Sequence, residues 1–379
     1  MMRMFSSRLN WDVSPNPLAR LLEQKRAGGA AVLDLTESNP TRAGISYPAA
    51  ILEAIRHPQA LRYEPSPRGL LSAREAVVKY YAERGLPFSP GRILLTASTS
   101  EAYAYLFKLL ADPGDQVLTP RPSYPLFDYL AALESVSVRQ YPLRYDGAWH
   151  MDFVELERAI SPRTRAIVVV NPNNPTGSFL KPDEWDRLQV LAGDRGIAIL
   201  SDEVFSDYGF EPASRVRGED RALTFTMSGL SKIAGLPQMK LGWIALSGPE
   251  ADAAMERLEL IADTYLSVAT PVQLALPELL VLSAEIRAQI QARTRANLDA
   301  LRSIVAGSPV NVLNVEGGWS AILQVPRIRS EQEWALMLLG ERDVLVQPGY
   351  FFDFESEAFL VVSLLTPRDV FEEGIRRLI

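Results

Sequence analysis

The residues from 166 to 170, Ala-Ile-Val-Val-Val, constrain the fold of this chain more than any other stretch. A short apolar run rich in β-branched residues is typical of a strand that is buried on both faces of a parallel sheet. A loop over 171–177, rich in Asn and Pro, follows at once. A helical pattern over 182–194 and a second apolar strand over 197–200 come next. This order predicts an α/β fold in which helices cover both faces of a mostly parallel sheet.

The same alternation is present upstream. A strand pattern at 93–95 precedes a helical pattern at 99–111, and a strand at 116–118 follows the turn Asp112-Pro113-Gly114-Asp115. Because ligands of such sheets bind outside the carboxyl ends of the strands, we expect the functional residues in the loops that follow strands.

Beyond Pro271 the pattern changes. One long helix is predicted over 278–305, and a shorter α/β segment follows over 310–379. We therefore predict a large domain over residues 40–283 and a smaller α/β domain formed by residues 1–39 and 284–379.

Composition excludes several classes of function. The chain has 379 residues with a net charge of −7, so it has no basic footprint for nucleic acid and no polybasic anchor for a membrane. It has no cysteine and two histidines, which disfavours a disulfide framework, a thiolate zinc site and a histidine triad. No apolar run approaches the ~18 residues of a membrane span, and no signal peptide is visible. We expect a cytoplasmic protein without a metal, a nucleic-acid partner or a membrane partner.

Three strand-ending segments carry candidate ligand groups, each with a plainer alternative. Thr99 and Ser100 follow Ser98 at a predicted helix start, where free amides suit an anion, although the same pattern caps many helices. Asn174 lies in the 171–177 loop and could donate to a ligand oxygen, or serve only a turn. Asp202 follows the strand 197–200 and could hold a cationic group, or act as a cap, because a buried carboxylate is costly unless paired.

A lysine completes this set. Lys232 ends the segment Ser228-Gly229-Leu230-Ser231-Lys232 and is a candidate amine for attack on a carbonyl, since burial lowers the pKa of a lysine. A surface lysine is the plainer alternative. The sequence contains neither of the usual glycine-rich nucleotide loops, which disfavours an NAD-dependent oxidoreductase.

Together these segments resemble, in order and spacing, the fold-type I pyridoxal-phosphate (PLP) aminotransferases of class I and II. The resemblance runs from about residue 30 to the end, and Asn174-Pro175-Thr176-Gly177 and Ser231-Lys232 are its most specific motifs. It implies a three-layer large domain with a smaller α/β domain and pyridoxal 5'-phosphate as the cofactor. The implied reaction moves an amino group from a small-molecule amino donor to a 2-oxo acid acceptor.

The resemblance also implies residue roles. Lys232 aligns with the lysine that binds the cofactor and moves the substrate proton, Asp202 with the partner of the pyridine nitrogen, and Asn174 with a donor to the ring oxygen. Tyr63 resembles a tyrosine that reaches the phosphate in the partner subunit, which implies a homodimer. Further implied positions are the ring-stacking Tyr124, the cofactor-binding Thr99, Ser100, Ser231 and Lys240, and the substrate-pocket Ser38 and Trp319. The Asn174-Pro175 bond is expected to be cis.

Four positions depart from the family pattern. Phe205 replaces the usual Tyr, Lys240 an Arg, and Gly229 a Ser. Val361 stands where an Arg usually clamps the substrate carboxylate, a contact that Val cannot make. The candidates for a substitute cation are Arg42, Arg68, Arg121 and Arg368.

Because of these departures, other enzyme classes remain open as alternatives: a PLP-dependent lyase, decarboxylase or racemase, or a transaminase for a non-standard amine. A non-catalytic PLP-binding regulator is less favoured, because Lys232 is retained.

Overall fold

The computed structural model describes residues 4–211 and 220–379. The helices are α1 (Pro17–Ala27), α2 (Ala50–Ile55), α3 (Leu71–Ala82), α4 (Thr99–Leu110), α5 (Phe127–Leu133), α6 (Phe153–Ala159), α7 (Pro182–Arg195), α8 (Leu230–Ile233), α9 (Ala251–Asp263), α10 (Thr270–Val305), α11 (Glu331–Arg342) and α12 (Arg368–Leu378). The strands are β1 (Leu33–Asp34), β2 (Ile93–Thr96), β3 (Gln116–Arg121), β4 (Ser137–Tyr145), β5 (Trp149–Met151), β6 (Thr164–Val170), β7 (Ala198–Asp202), β8 (Thr224–Gly229), β9 (Gly242–Ser247), β10 (Asn311–Val312), β11 (Ser320–Gln324), β12 (Val344–Leu345), β13 (Gln347–Pro348) and β14 (Phe359–Ser363).

An eight-stranded sheet forms the centre of the molecule, in the order β2-β9-β8-β7-β6-β3-β4-β5. Strands β8, β7, β6, β3 and β4 run parallel, whereas β9 and β5 are antiparallel to their neighbours. The register pairs Val170 with Asp202 and Asp202 with Met227. The carboxyl ends of β6, β7 and β8 therefore meet at one edge of the sheet.

Helices cover both faces of this sheet, as the alternating pattern predicts. Residues of α4, α5 and α9 pack with Leu94, Val168 and Phe225 in one apolar cluster. Residues of α6 and α7 pack with Ile167 and Ile199 in another. Neighbours in the strand β6 thus point to opposite faces, and both faces are buried, which explains its uninterrupted apolar sequence.

A second group of elements joins the two ends of the chain. Strands β10, β11, β14 and β13 form an antiparallel sheet, and β1 pairs with β12 in parallel. One apolar cluster includes Leu18 and Leu35 from the first forty residues together with Leu298, Leu338 and Phe371. This packing agrees with a small domain built from both termini, while the boundaries at 39/40 and 283/284 stay a prediction.

The predicted fold class is confirmed, and most predicted elements lie where the pattern indicates. The long helix differs: α10 begins at Thr270 rather than near 278 and contains Pro277. Pro271 stands in its first turn, where a missing N–H costs nothing, so the helix starts before the segment that its Ala/Leu/Arg-rich pattern marks. Among the described residues, no helix combines the length and the apolar character that a membrane span requires.

Candidate active site

A cavity of about 310 Å³ opens at the carboxyl ends of the central strands. Its walls come from the large sheet, from the start of α4 and from the small sheet. The polar residues that line it are Thr36, Ser38, Ser98, Thr99, Ser100, Tyr103, Tyr124, Asn174, Asp202, Ser231, Lys232, Ser320, Gln347 and Ser363. Trp319, Phe205 and Phe352 are among its apolar lining residues.

Asp202 is the last residue of β7 and is 8% exposed. Its Oδ2 accepts a hydrogen bond from the Tyr103 phenol at 3.0 Å, and its Oδ1 accepts one from the Val204 amide at 3.2 Å. Burial raises the pKa of Asp202 to about 6, although these two donors and the Lys232 charge act in the opposite direction. The carboxylate is therefore fixed from two elements and can meet a cationic group in the cavity.

Lys232 lies in α8, directly after β8, and lines the cavity with its Nζ near two aromatic rings. The distance from Nζ to the ring centroid is 5.2 Å for Trp319 and 5.7 Å for Phe205. Burial lowers the pKa of Lys232, and the nearby Asp202 carboxylate opposes that change. A lowered pKa increases the fraction of neutral amine, the form that attacks a carbonyl.

The backbone of Lys232 is held by a residue on another segment. The Tyr208 phenol donates to the Lys232 carbonyl oxygen at 2.6 Å. Its ring lies 5.1 Å from the Trp319 ring, centroid to centroid, and Tyr208 is 2% exposed. Tyr208 thus fixes the lysine segment and does not supply the phenol that Phe205 lacks.

The start of α4 forms one wall of the cavity. The Ser98 hydroxyl accepts a hydrogen bond from the Glu101 amide at 3.2 Å, so Ser98 caps the helix as its sequence indicates. The Glu101 carboxylate accepts from the Ala97 amide at 2.7 Å rather than from the Ser98 amide, so the capping box is only half formed. Thr99 and Ser100 line the cavity beside free amides and the positive end of the helix dipole, an arrangement that suits a phosphate.

Gly229 lies where the backbones of β8 and β9 approach closely. A Cβ atom at this position would come within 2.8 Å of the Gly242 Cα and 2.9 Å of the Leu241 carbonyl oxygen. The departure from Ser at this position therefore has a steric cause. Two serines flank this position in sequence and carry a hydroxyl; Ser231 lines the cavity, whereas Ser228 does not.

Asn174 and Tyr124 also reach the cavity. The Ser320 hydroxyl donates to the side-chain oxygen Oδ1 of Asn174 at 3.4 Å. The side-chain Nδ2 of Asn174 is therefore free to donate to another group. The Asn174-Pro175 peptide bond is cis, as predicted. An amine, a buried carboxylate, an amide donor and a phosphate-binding helix end thus share one cavity, and this set fits pyridoxal 5'-phosphate.

Comparison with known proteins assigns the family. The family model described as aminotransferase class I and II matches residues 30–378. This chain belongs to that family. Aminotransferases of class I and II depend on PLP, the cofactor that the cavity residues fit.

Individual relatives share parts of the sequence and the whole fold. Glutamate-pyruvate aminotransferase AlaA of Escherichia coli is 32% identical over 266 residues, which cover 68% of this chain and 65% of that protein. The match thus spans just under two thirds of the relative's length. S-alkyl-thiohydroximate lyase SUR1 of Arabidopsis thaliana is 33% identical over 240 residues, 61% of this chain and 52% of that protein. The solved alanine aminotransferase from Pyrococcus furiosus has the same fold, with a TM-score of 0.89, 23% identity and 98% coverage of both chains.

Two of the predicted site residues of this family member lie outside the cavity. Lys240 is exposed and ends a short 3₁₀ turn with a φ of 49°, whereas its neighbours Leu241 and Gly242 line the cavity. Tyr63 is 79% exposed, at the mouth of a separate surface pocket of about 50 Å³. Their roles toward the phosphate stay predictions. The other predicted residues, from Ser38 to Trp319, all line the cavity.

The position of the usual substrate-binding Arg is filled by apolar packing. Val361 is 1% exposed and lies in a cluster with Trp149, Ile322 and Phe352. Among the described residues that line the cavity, Lys232 is the one basic side chain.

None of the candidate substitutes lines the cavity within this chain. Arg68 pairs with Glu259, Arg121 with Glu355, Arg368 with Glu372, and Arg42 is exposed.

Sequence reasoning missed several cavity residues, of which Tyr103 is the most informative. It stands four residues after Thr99, so both share a face of α4, and this spacing was a usable signal. Thr36, Gln347 and Ser363 come from short segments of the small sheet. No local motif marks them, because only tertiary packing brings them to the cavity.

Proposed function

We propose that this chain is a PLP-dependent aminotransferase that moves an amino group between an amino acid and a 2-oxo acid. One observation carries the proposal: Lys232 and Asp202 share a single cavity with the phosphate-suited start of α4. Membership of the aminotransferase family supports it. When bound, PLP supplies an electron sink for the pair of electrons that remains when the substrate Cα loses its proton.

The proposed work of the chain is to bind, orient and transfer protons. Lys232 holds the cofactor and, once released from it, moves a proton with its Nζ, since its lowered pKa favours the neutral amine. Asp202 pairs with the pyridine nitrogen and favours its protonated form. Asn174 donates to the ring oxygen, and Tyr124 packs on the ring.

The remaining roles follow from position. Thr99, Ser100 and Ser231 bind the phosphate, Lys240 adds a positive charge from outside the cavity wall, and Ser38 and Trp319 contact the substrate.

We also propose that the working form is a cytoplasmic homodimer. Tyr63 is 79% exposed and close in sequence to Leu61, which is 94% exposed. Such side chains are available to a second copy, where Tyr63 would reach the partner's phosphate. The cytoplasmic location stays a prediction from the sequence.

A lyase or decarboxylase reaction on the same scaffold is the second candidate. The cavity observation that favours it is the absence of an Arg or a second Lys among the described lining residues, since a substrate carboxylate gains most from an Arg partner. The likeness to a protein named as a lyase agrees with this candidate.

One experiment separates the candidates. The purified protein is reconstituted with PLP, and its visible absorption band is followed while a panel of amino acids and then 2-oxo acids is added. An aminotransferase should lose the band with an amino donor and regain it with a 2-oxo acid, without release of ammonia or CO₂. A lyase or decarboxylase should keep the band and release ammonia or CO₂. Lys232→Ala should show neither behaviour.

A further inference from the structure

Helix α4 contributes to the cavity at two places. Its N-terminus carries Thr99 and Ser100, and Tyr103 follows one turn later. Residues four apart on a helix lie on the same face, so Thr99 and Tyr103 face the same cavity. The helix that begins at the phosphate end therefore also reaches Asp202.

The contact between Tyr103 and Asp202 is short and enclosed. The phenol oxygen lies 3.0 Å from Asp202 Oδ2, and the two residues are 2% and 8% exposed. The Tyr103 ring packs against Phe107 and Phe127, with centroid distances of 5.8 and 5.4 Å. The phenol is thus held in place before any ligand binds, which is the condition for a positioning group.

The charged and titratable groups that act on Asp202 come from three other segments. They are Tyr103 on α4, Tyr124 after β3, and Lys232 on α8. Burial raises the pKa of the Tyr103 phenol well above its usual value, so this group remains a donor throughout the neutral range. The Tyr103 hydrogen bond lowers the pKa of Asp202, whereas burial raises it.

We propose that Tyr103 is a positioning residue that orients the Asp202 carboxylate and keeps it ionised for its partner, the ring nitrogen of the cofactor. This inference rests on the proposed function, since it requires PLP in the cavity. Hydrogen bonds to charged groups contribute ~1.5–3 kcal/mol, and 1.4 kcal/mol corresponds to a factor of ten in affinity. Loss of the phenol should therefore weaken PLP binding about tenfold or more near neutral pH.

The test is the dissociation constant of PLP between pH 5.5 and 9, measured by equilibrium dialysis. Tyr103→Phe should bind PLP at least about tenfold more weakly at pH 7, and the acid limb of its binding curve should move to higher pH. Tyr141→Phe is the matched control. Tyr141 is a buried tyrosine of the apolar cluster on the other face of the sheet; it donates to the Val168 carbonyl oxygen at 2.8 Å and does not line the cavity. Its variant should keep the wild-type affinity and pH dependence.

A double-mutant cycle distinguishes positioning from a structural role. In an Asp202→Asn background, Tyr103→Phe should change PLP affinity less than about twofold, because no carboxylate remains to be ionised. An equal loss of affinity in both backgrounds would contradict the proposal. If Tyr103→Phe does not fold, Tyr103→His, which keeps an N–H donor, should retain the wild-type acid limb, and a shifted limb would contradict the proposal.

The outcome also separates this inference from the proposed function. Wild-type protein that binds no PLP would overturn the proposed function itself. Wild-type protein that binds PLP, with a Tyr103→Phe variant of unchanged affinity and pH dependence, would overturn only the role of Tyr103.

Discussion

Val361 shows how one residue changes what a site can bind. Its side chain is 1% exposed and packs with Trp149, Ile322 and Phe352, so the place of a substrate-binding arginine has become apolar core. A guanidinium at this position would lose its hydration, because the side chains that surround Val361 in this cluster are apolar. Packed apolar side chains thus occupy the space where the family usually has an arginine.

Val361→Arg should therefore destabilise the protein by about 3 kcal/mol or more, because it buries an unpaired charge. Urea unfolding measures the loss, and Val361→Ala is the control for lost packing alone. A Val361→Arg protein with wild-type stability and a higher kcat/KM for amino acids would contradict this account, because it would show that an arginine at position 361 can bind the substrate carboxylate.

The pKa of Asp202 predicts how the protein without cofactor responds to pH. Burial raises the pKa of Asp202 in the folded protein to about 6 from its usual value of 3.8. A carboxyl group whose pKa is raised on folding favours the folded state below pH 4, and this contribution is lost as the pH rises through 6. This difference in pKa corresponds to a free energy of unfolding that is about 3 kcal/mol lower above pH 6 than below pH 4.

Urea unfolding of the apoprotein at pH 4 and pH 7.5 measures this loss of stability. Asp202→Asn should remove that part of the pH dependence, and an unchanged difference in the variant would refute the assignment.

At the level of elements, the first two turns of α4 contain a helix cap, an anion site and a contact with Asp202. Ser98 caps the helix, Thr99 and Ser100 present an anion site, and Tyr103 reaches Asp202. The Glu101 carboxylate links the Ala97 amide and the Ser267 hydroxyl, which fixes the entry into the helix. Stability of this helix start and affinity for the cofactor should therefore change together.

Ser98→Ala tests this coupling. Loss of an N-cap side chain costs about 1 kcal/mol, and in this helix it should also weaken PLP binding several-fold. Ser330→Ala is the matched control, because Ser330 caps α11 and does not line the cavity. Both variants should lose similar stability in urea unfolding, while only Ser98→Ala loses PLP affinity. Equal PLP affinity in the two variants would contradict the coupling.

For the molecule as a whole, sequence patterns predicted the fold class and the cavity residues that stand in local motifs. Asn174, Asp202 and Lys232 each follow a strand, and neighbouring parallel strands bring them to one edge. The spacing of Tyr103 from Thr99 indicated that Tyr103 faces the cavity, whereas its contact with Asp202, 99 residues away in sequence, left no local signal. The packing around Val361 was missed because it joins separate segments of the small sheet to Trp149 of the large one.

The homodimer is tested by mixing two defective proteins. Tyr63→Ala and Lys232→Ala should each have little activity alone, since one lacks the phosphate contact and the other the amine. If Tyr63 acts in the partner's site, a mixed dimer contains one complete site, and refolding the two together should restore activity. A mixture that stays as inactive as its components would place Tyr63 outside the partner's site.

The most direct test of the central claim is to find where PLP is attached. The reconstituted protein is treated with borohydride, which fixes the covalent link between PLP and an amine, and is then digested and analysed by mass spectrometry. The cofactor mass should be found on the peptide that carries Lys232, with Lys240 unmodified in the same sample. A label on another lysine, or none on Lys232, would contradict the assignment of this cavity as the active site.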